Sequence, residues 1–336
     1  EIEWYEHIRL RPGMYIGRVN LKGFVDLLKG IFSVSLSQLK ADTISFDFND
    51  RNKGKILIEN IQNPVINNWS KWNSNPKNPF VLEFQTLNAL SSFFTIELSD
   101  FDDDDVKLKQ EYKEGVLING ELTEKPIECN KLEIDFTLDE KIWKNEFNWI
   151  ESFINHEIRE FAYLYKKVKF KVSYEIANEP CNIIYFFENG LKDRIDVEKL
   201  KGLGSSYFNT YFTNKIKDLN IEVAFAFRDY TVDEPFLKSF VNDYYTHENG
   251  SHIDGLLKGL TYGVMKYFQK YDLTEKYKIS EKGIKENLVC IINIRMDEPV
   301  FSGCVKNKLA NPEIIEPIAD FISELLFEKI EADKES

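Results

Sequence analysis

Hydrophobic residues in this chain switch repeatedly between the helical and the strand period, and that alternation constrains its fold more than any other feature. In residues 21–39, Phe24, Leu27, Leu28, Ile31, Phe32, Leu36 and Leu39 recur at the three-, four- and seven-residue spacings of an amphipathic helix. The next apolar residues, Ile44, Phe46 and Phe48, alternate with polar ones, and residues 55–61 read as a second, more buried strand. The pattern predicts a helix over 80–90, strands near 93–98, 105–112 and 131–137, and a long helix over 141–165. It then restarts: Val168, Phe170, Val172 and Tyr174 alternate, residues 183–187 and 221–227 read as strands, and the stretch between these two reads as loop-rich. Ile253, Leu256, Leu257, Leu260, Val264, Tyr267 and Phe268 form a second helical face with Ser251 as its expected cap. A strand over 288–296 and a terminal helix through Ile318, Phe321, Ile322, Leu325, Leu326 and Ile330 complete the reading. Both halves mix helix and strand, so the expected class is a two-domain α/β (α+β) protein, with domains 1–167 and 168–336.

Composition narrows the function classes. With 43% apolar and 29% charged residues the chain can bury a core and stay in water, and it is neither a disordered nor a fibrous sequence. Apolar runs such as Val289-Cys290-Ile291-Ile292 are far shorter than the roughly twenty residues a membrane helix needs. The opening Glu1-Ile2-Glu3-Trp4-Tyr5 has neither the basic start nor the apolar core of a secretion signal, so a cytoplasmic location is expected. Cys129, Cys181, Cys290 and Cys304 lie too far apart for a zinc motif and are read as reduced, buried side chains. A net charge of −13 excludes a uniformly basic nucleic-acid surface, and only weak DNA binding is expected.

Three segments carry a family likeness. They are Arg11-Pro12-Gly13-Met14-Tyr15-Ile16-Gly17, Asn249-Gly250-Ser251-His252-Ile253-Asp254-Gly255, and the run from Glu298 to Asn311 that contains Cys304-Val305-Lys306. In order and spacing they resemble the N-terminal ATPase and transducer region of type IIA DNA topoisomerase B subunits, gyrase B and topoisomerase IV ParE. The resemblance implies a GHKL-type ATPase-like sandwich followed by a transducer-type α/β domain, in which ATP closes two protomers into a gate for DNA. It also implies a water-activating acid and a metal-holding asparagine four residues apart on the first long helix, an adenine-reading acid after a strand, a glycine-rich lid, and a glutamine-threonine-lysine triplet in the transducer.

Laid on that pattern, Gly30 stands where the acid belongs and Val34 where the asparagine belongs, and neither side chain can do the work. A mid-helix glycine also costs about 1 kcal/mol relative to alanine, which points to a close-packing requirement at Gly30. Asp26, one turn earlier, is the helix's only acid and reads as a solvent-facing charge. The adenine-reading segment is replaced by Ile58-Glu59-Asn60-Ile61-Gln62-Asn63-Pro64, where Glu59 or Asn60 is the candidate acceptor. Between Lys55 and Asn189 the chain has only Gly115 and Gly120, both at expected turns, so the phosphate-cradling lid is missing. Of the triplet only Lys306 is kept, as a candidate phosphate-sensing residue. A cation site at Asp102–Asp105 and a metal triad of His247, His252 and Asp254 read as a solvated turn and a helix-start turn, and Tyr244-Tyr245 reads as core. The sequence thus reads as a nucleotide-independent pseudo-ATPase, with no metal and no cofactor, acting as a binding, dimerisation or regulatory module. The alternatives are a working ATP- and Mg²⁺-dependent topoisomerase fragment, with Asp26 or Glu59 as base, and a regulator that pairs with a topoisomerase subunit.

Overall fold

A computed structural model describes residues 2–48, 52–63, 65–66, 79–100, 106–123, 125–144, 147–176, 179–201, 206–228, 235–303 and 306–335. The chain forms two compact units, Glu1–Glu188 and Asn189–Ser336. The division falls after Glu188, where the sequence pointed to 167, because the strand pair that follows residue 168 hydrogen-bonds into the first unit's sheet.

The first unit opens with the helices α1 (Trp4–Leu10), α2 (Pro12–Ile16) and α3 (Leu21–Ser37) and the strands β1 (Thr43–Phe48), β2 (Lys53–Glu59) and β3 (Val65–Ile66). It continues with α4 (Pro79–Ala89), β4 (Ser91–Ser99), β5 (Val106–Lys113), β6 (Val116–Asn119), β7 (Pro126–Ile127) and β8 (Lys131–Leu138). Helices α5 (Glu140–Trp143) and α6 (Glu151–Ala162) and the strands β9 (Lys169–Ile176) and β10 (Glu179–Phe186) complete it. Eight strands make one sheet in the order β10-β9-β1-β2-β8-β4-β5-β6, with β3 and β7 paired separately. Alternation sorts its faces: Ile44, Phe46, Ile56, Ile58, Ile134, Phe136, Phe94, Phe170 and Val172 are buried, while Asp47, Lys55, Glu97, Glu133 and Asp135 lie on the opposite, charged face. Phe24 and Phe32 of α3 pack on the apolar face, against Phe46 and Phe136 and against Phe161 and Phe170 respectively.

The long helix expected over 141–165 is two helices. Lys144 ends α5 in the left-handed region (φ 52°), and Trp143, Phe147 and Trp149 close around Phe24 at ring-centre distances of 5.1–6.0 Å. Packing three aromatic rings on one neighbour outweighs the helical period between them. The Trp143 indole donates to the Leu90 carbonyl at 2.9 Å, which fixes the turn.

The second unit contains α7 (Leu191–Lys201), β11 (Ser206–Ile216), β12 (Leu219–Arg228), β13 (Phe236–Val241), β14 (Tyr244–Tyr245), α8 (Ser251–Lys270), α9 (Glu281–Glu286), β15 (Leu288–Arg295) and α10 (Ile315–Glu335). Its sheet runs β11-β12-β15-β13-β14. Helices α8 and α10 cover one face through Ile253, Leu256, Leu260, Ile318, Ile322 and Leu326, over Val223, Phe225, Cys290 and Ile292. Helix α7 and strand β11 occupy the stretch read as loop. Among the described residues of α7, Leu191 and Ile195 are the fully buried apolar ones, one turn's worth, and β11 carries Asn209, Thr210, Thr213, Asn214 and Lys215, so neither period is visible. Ser251 is the first helical residue of α8 and not its cap; Gly250 (φ 128°) holds that position, and a β-carbon there would lie 2.2 Å from the Leu309 carbonyl oxygen.

Candidate functional site

Helix α3 positions the residues on which the functional reading turns. Its Asn20 cap accepts from the Gly23 amide at 3.1 Å, and the buried stripe Phe24, Leu28, Ile31, Phe32 and Leu36 sets its rotation on the sheet. Val34 is buried with this stripe, so the position that the resemblance gives to a metal-holding amide is hydrocarbon inside the core. Gly30 faces α4. A β-carbon built on Gly30 would lie 2.8 Å from Cδ, 2.9 Å from Oε2 and 3.1 Å from Oε1 of Glu83, so the Glu83 carboxylate lies against the bare backbone of α3. The mid-helix glycine pointed to close packing, but its partner was unreadable from the sequence because Glu83 belongs to another helix.

Asp26 is half-exposed and engaged. Lys22 Nζ lies 2.6 Å and Lys29 Nζ 3.1 Å from its Oδ1, and Lys29 also donates to Glu157 of α6 at 2.7 Å. Burial disfavours the Lys29 ammonium, but the charges of Asp26 and Glu157 more than offset this and hold its pKa above the ordinary value. Glu59, at the end of β2, accepts from Lys171 at 3.0 Å. Asn60, with φ 58°, donates to Asp42 at 2.7 Å. Both candidate acceptors thus take part in local strand-end contacts.

Helix α4 carries two further polar side chains that sequence reasoning did not single out. Gln85 and Asn88 are buried, and neither amide finds a hydrogen-bond partner among the described residues. A depression of about 290 Å³ is lined by Asn20, Leu21, Lys22, Asn148, Ile150 and Phe153, at the N-terminal end of α3 and about two helical turns from Gly30.

In the second unit, Lys306 is placed with its Nζ 3.7 Å from the ring centre of Tyr244, and its backbone is left-handed (φ 55°). Tyr244 and Tyr245 are not core residues as expected: they form the edge strand β14, and Tyr245 is about half exposed. His252 is fully buried with Nε2 3.2 Å from Thr246 Oγ1, whereas His247 is exposed beside Glu248. Burial lowers the His252 pKa to about 4. Among the described residues no three His, Cys, Asp or Glu side chains are grouped to hold a metal ion, and no helix is long and apolar enough to cross a membrane. Cys304, Val305 and Asp102–Asp105 lie outside the described residues.

Residues 183–336 match the family model described as DNA gyrase B. The chain is 26% identical to the DNA gyrase B protein of Spiroplasma citri over 351 residues, covering 96% of this chain and 54% of the relative. It is 25% identical to the B protein of DNA topoisomerase 4 from Borreliella burgdorferi, over 96% of this chain and 53% of the relative. The chain therefore spans about half the length of the curated relatives it matches. Its fold is that of the 43K ATPase domain of Thermus thermophilus gyrase B, solved with an aminocoumarin, with a TM-score of 0.79, 18% identity and coverage of 99% of this chain and 91% of that one. The expected mixed α/β architecture in two units is thus present, with the fold of that ATPase domain.

Proposed function

We propose that this chain, which resembles the ATPase and transducer region of type IIA topoisomerase B subunits, is a nucleotide-independent member of that fold. It serves as a binding, dimerisation or regulatory module, pairing with a second copy or with a topoisomerase subunit. The observation that carries this reading is the surface that α3 offers. Where the resemblance calls for an acid and an asparagine, the helix has a bare backbone covered by a carboxylate and a buried valine. Hydrolysis of a magnesium-bound triphosphate needs a base near the attacking water and oxygen ligands for the metal, and neither Gly30 nor Val34 supplies a side-chain oxygen for either task.

The remaining candidates support the reading. Glu59 pairs with Lys171, Asn60 with Asp42, and Lys306 rests on Tyr244, so each has a partner within its own unit. The test is calorimetric titration of the purified chain with a non-hydrolysable ATP analogue and Mg²⁺, run beside a phosphate-release assay. No saturable heat and no turnover above background are expected. Turnover that disappears on Asp26→Ala or Glu59→Ala overturns the reading and establishes a working ATPase.

A further inference from the structure

The sheet of the first unit ends on β10, which pairs with β9 on one side and, among the described residues, with no strand on the other. Alternate backbone N–H and C=O groups along that outer side have no ladder partner. Folded proteins protect such an edge with charges or proline. Pro180 does this at the start of β10, but the run Cys181–Phe186 carries no charge, and Ile184 and Phe186 in it are 61% and 49% exposed. The strand is held from its opposite face, where Tyr185 donates to Asn155 of α6 at 2.9 Å and Asn155 donates to Tyr174 of β9 at 3.0 Å.

Charge is distributed unevenly beside this edge. The register sets Phe186 across from Lys169 and Ile184 across from Lys171, and the Lys167 amide donates to the Phe187 carbonyl at 3.0 Å. Lys166, Lys167 and Lys169 are exposed, and Lys167 and Lys169 form no ion pair among the described residues. Glu188 follows β10 at this end, whereas Glu175 and Glu179 stand at the other end of the strand pair. In a chain of net charge −13, a cationic patch thus adjoins two exposed apolar side chains and an unpaired strand edge.

We infer that the β10 edge receives an extended, acidic segment of a partner polypeptide as an added strand. Its backbone completes the ladder of Cys181–Phe186, its apolar side chains lie on Ile184 and Phe186, and its carboxylates face Lys167 and Lys169. The inference rests on the reading of this chain as a binding module, to which it gives a surface and a partner chemistry. A nucleic acid has no N–H and C=O ladder to offer the edge, and the net charge of the chain opposes its approach. Two folded copies joined on so short an edge would bury well under the roughly 1,000 Å² of a stable interface, whereas a flexible segment also covers the side chains around it.

Fluorescence anisotropy on the full chain tests this with two labelled peptides in which valine alternates with a polar residue. Glutamates fill the polar positions of the N-terminal half in one peptide and of the C-terminal half in the other, with threonine elsewhere. Saturable binding of at least one is expected, weakened at least tenfold by Phe186→Asp and by Lys169→Glu at unchanged melting temperature. A second readout leaves the chain unaltered: N-methylation of alternate peptide residues is expected to abolish binding in one phase and spare it in the other, because only every second N–H faces β10. Binding by neither peptide, or equal loss in both methylation phases, overturns the inference. A duplex oligonucleotide that binds as tightly as the peptide and is weakened by Lys169→Glu assigns the patch to nucleic acid, and a sedimenting dimer that dissociates with Phe186→Asp assigns the edge to a second copy; either result overturns it. The nucleotide titration of the proposed function reads separately. Peptide binding beside a saturable nucleotide response overturns only the nucleotide-independent reading, and absence of both overturns only the inference.

Discussion

Lys306 holds its ammonium 3.7 Å from the centre of the Tyr244 ring, and both residues lie in the second unit. An exposed cation over an aromatic face contributes about 0.5–1 kcal/mol. Lys306→Ala is therefore expected to lower stability by about that amount, with Lys306→Arg close to wild type, as read from urea denaturation. If Lys306 were instead a phosphate ligand, Lys306→Ala would weaken a nucleotide titration, and no such change is expected.

Arg9 and Asp139 give a larger prediction. Asp139 is buried, pairs with Arg9 Nη2, and also accepts from the Lys141 amide at 2.9 Å as the cap of α5. The same guanidinium donates to the Ala89 carbonyl at 2.8 Å and lies 3.3 Å from Glu114. Arg9→Ala leaves a buried carboxylate and a buried carbonyl without this partner, a class of change that costs roughly 3–5 kcal/mol. Equilibrium urea unfolding is expected to show a loss in that range, with Arg9→Lys recovering only part of it because one ammonium cannot span the fork of contacts.

The pH dependence of stability is expected to carry the signature of His252. Its folded pKa is depressed to about 4 by burial, below the ordinary imidazole value of 6.5. The unfolded state therefore binds the proton first, and the stability tied to neutral His252 is present above about pH 6.5 and lost as pH falls toward 4. At about 1.4 kcal/mol per pH unit the span is worth roughly 3 kcal/mol. Denaturant midpoints across pH 4–8 in wild type and His252→Gln check this: the variant is expected to lose most of the slope between pH 6.5 and 4.

How far the sequence was legible follows from which interactions are local. Helices α3, α8 and α10 and strands β1, β2, β12 and β15 each bury a full stripe or an alternating face of their own residues, so periodicity finds them. Helix α7 is anchored by the buried Leu191 and Ile195, and Arg194 is held by Glu198 and by the Phe236 ring, which local patterning does not report. At the site, the absence of an acid at position 30 was readable on the resemblance, since it concerns residues of one helix. The carboxylate that covers Gly30 comes from a helix 53 positions later, and only the pairing of α3 with α4 brings it there.

If the chain dimerises without nucleotide, Ile2, Trp4 and Tyr5 are the apolar residues expected to supply a constitutive contact. Trp4, however, is buried within the first unit, and a β-carbon at Gly115 would lie 2.3 Å from the Tyr5 β-carbon, so Tyr5 packs down as well. The large apolar side chains left exposed at this end are Ile2, Leu10 and Met14. Three side chains fall well short of the roughly 1,000 Å² that a stable interface buries, and about 25 cal/mol per Å² over so small a patch does not offset the cost of association. The isolated chain is therefore expected to sediment as a monomer at micromolar concentration, both without ligand and with an ATP analogue and Mg²⁺. Sedimentation velocity decides it: a dimer that forms only when nucleotide is added contradicts the nucleotide-independent reading, and a dimer in both conditions relocates the contact to a surface other than this one.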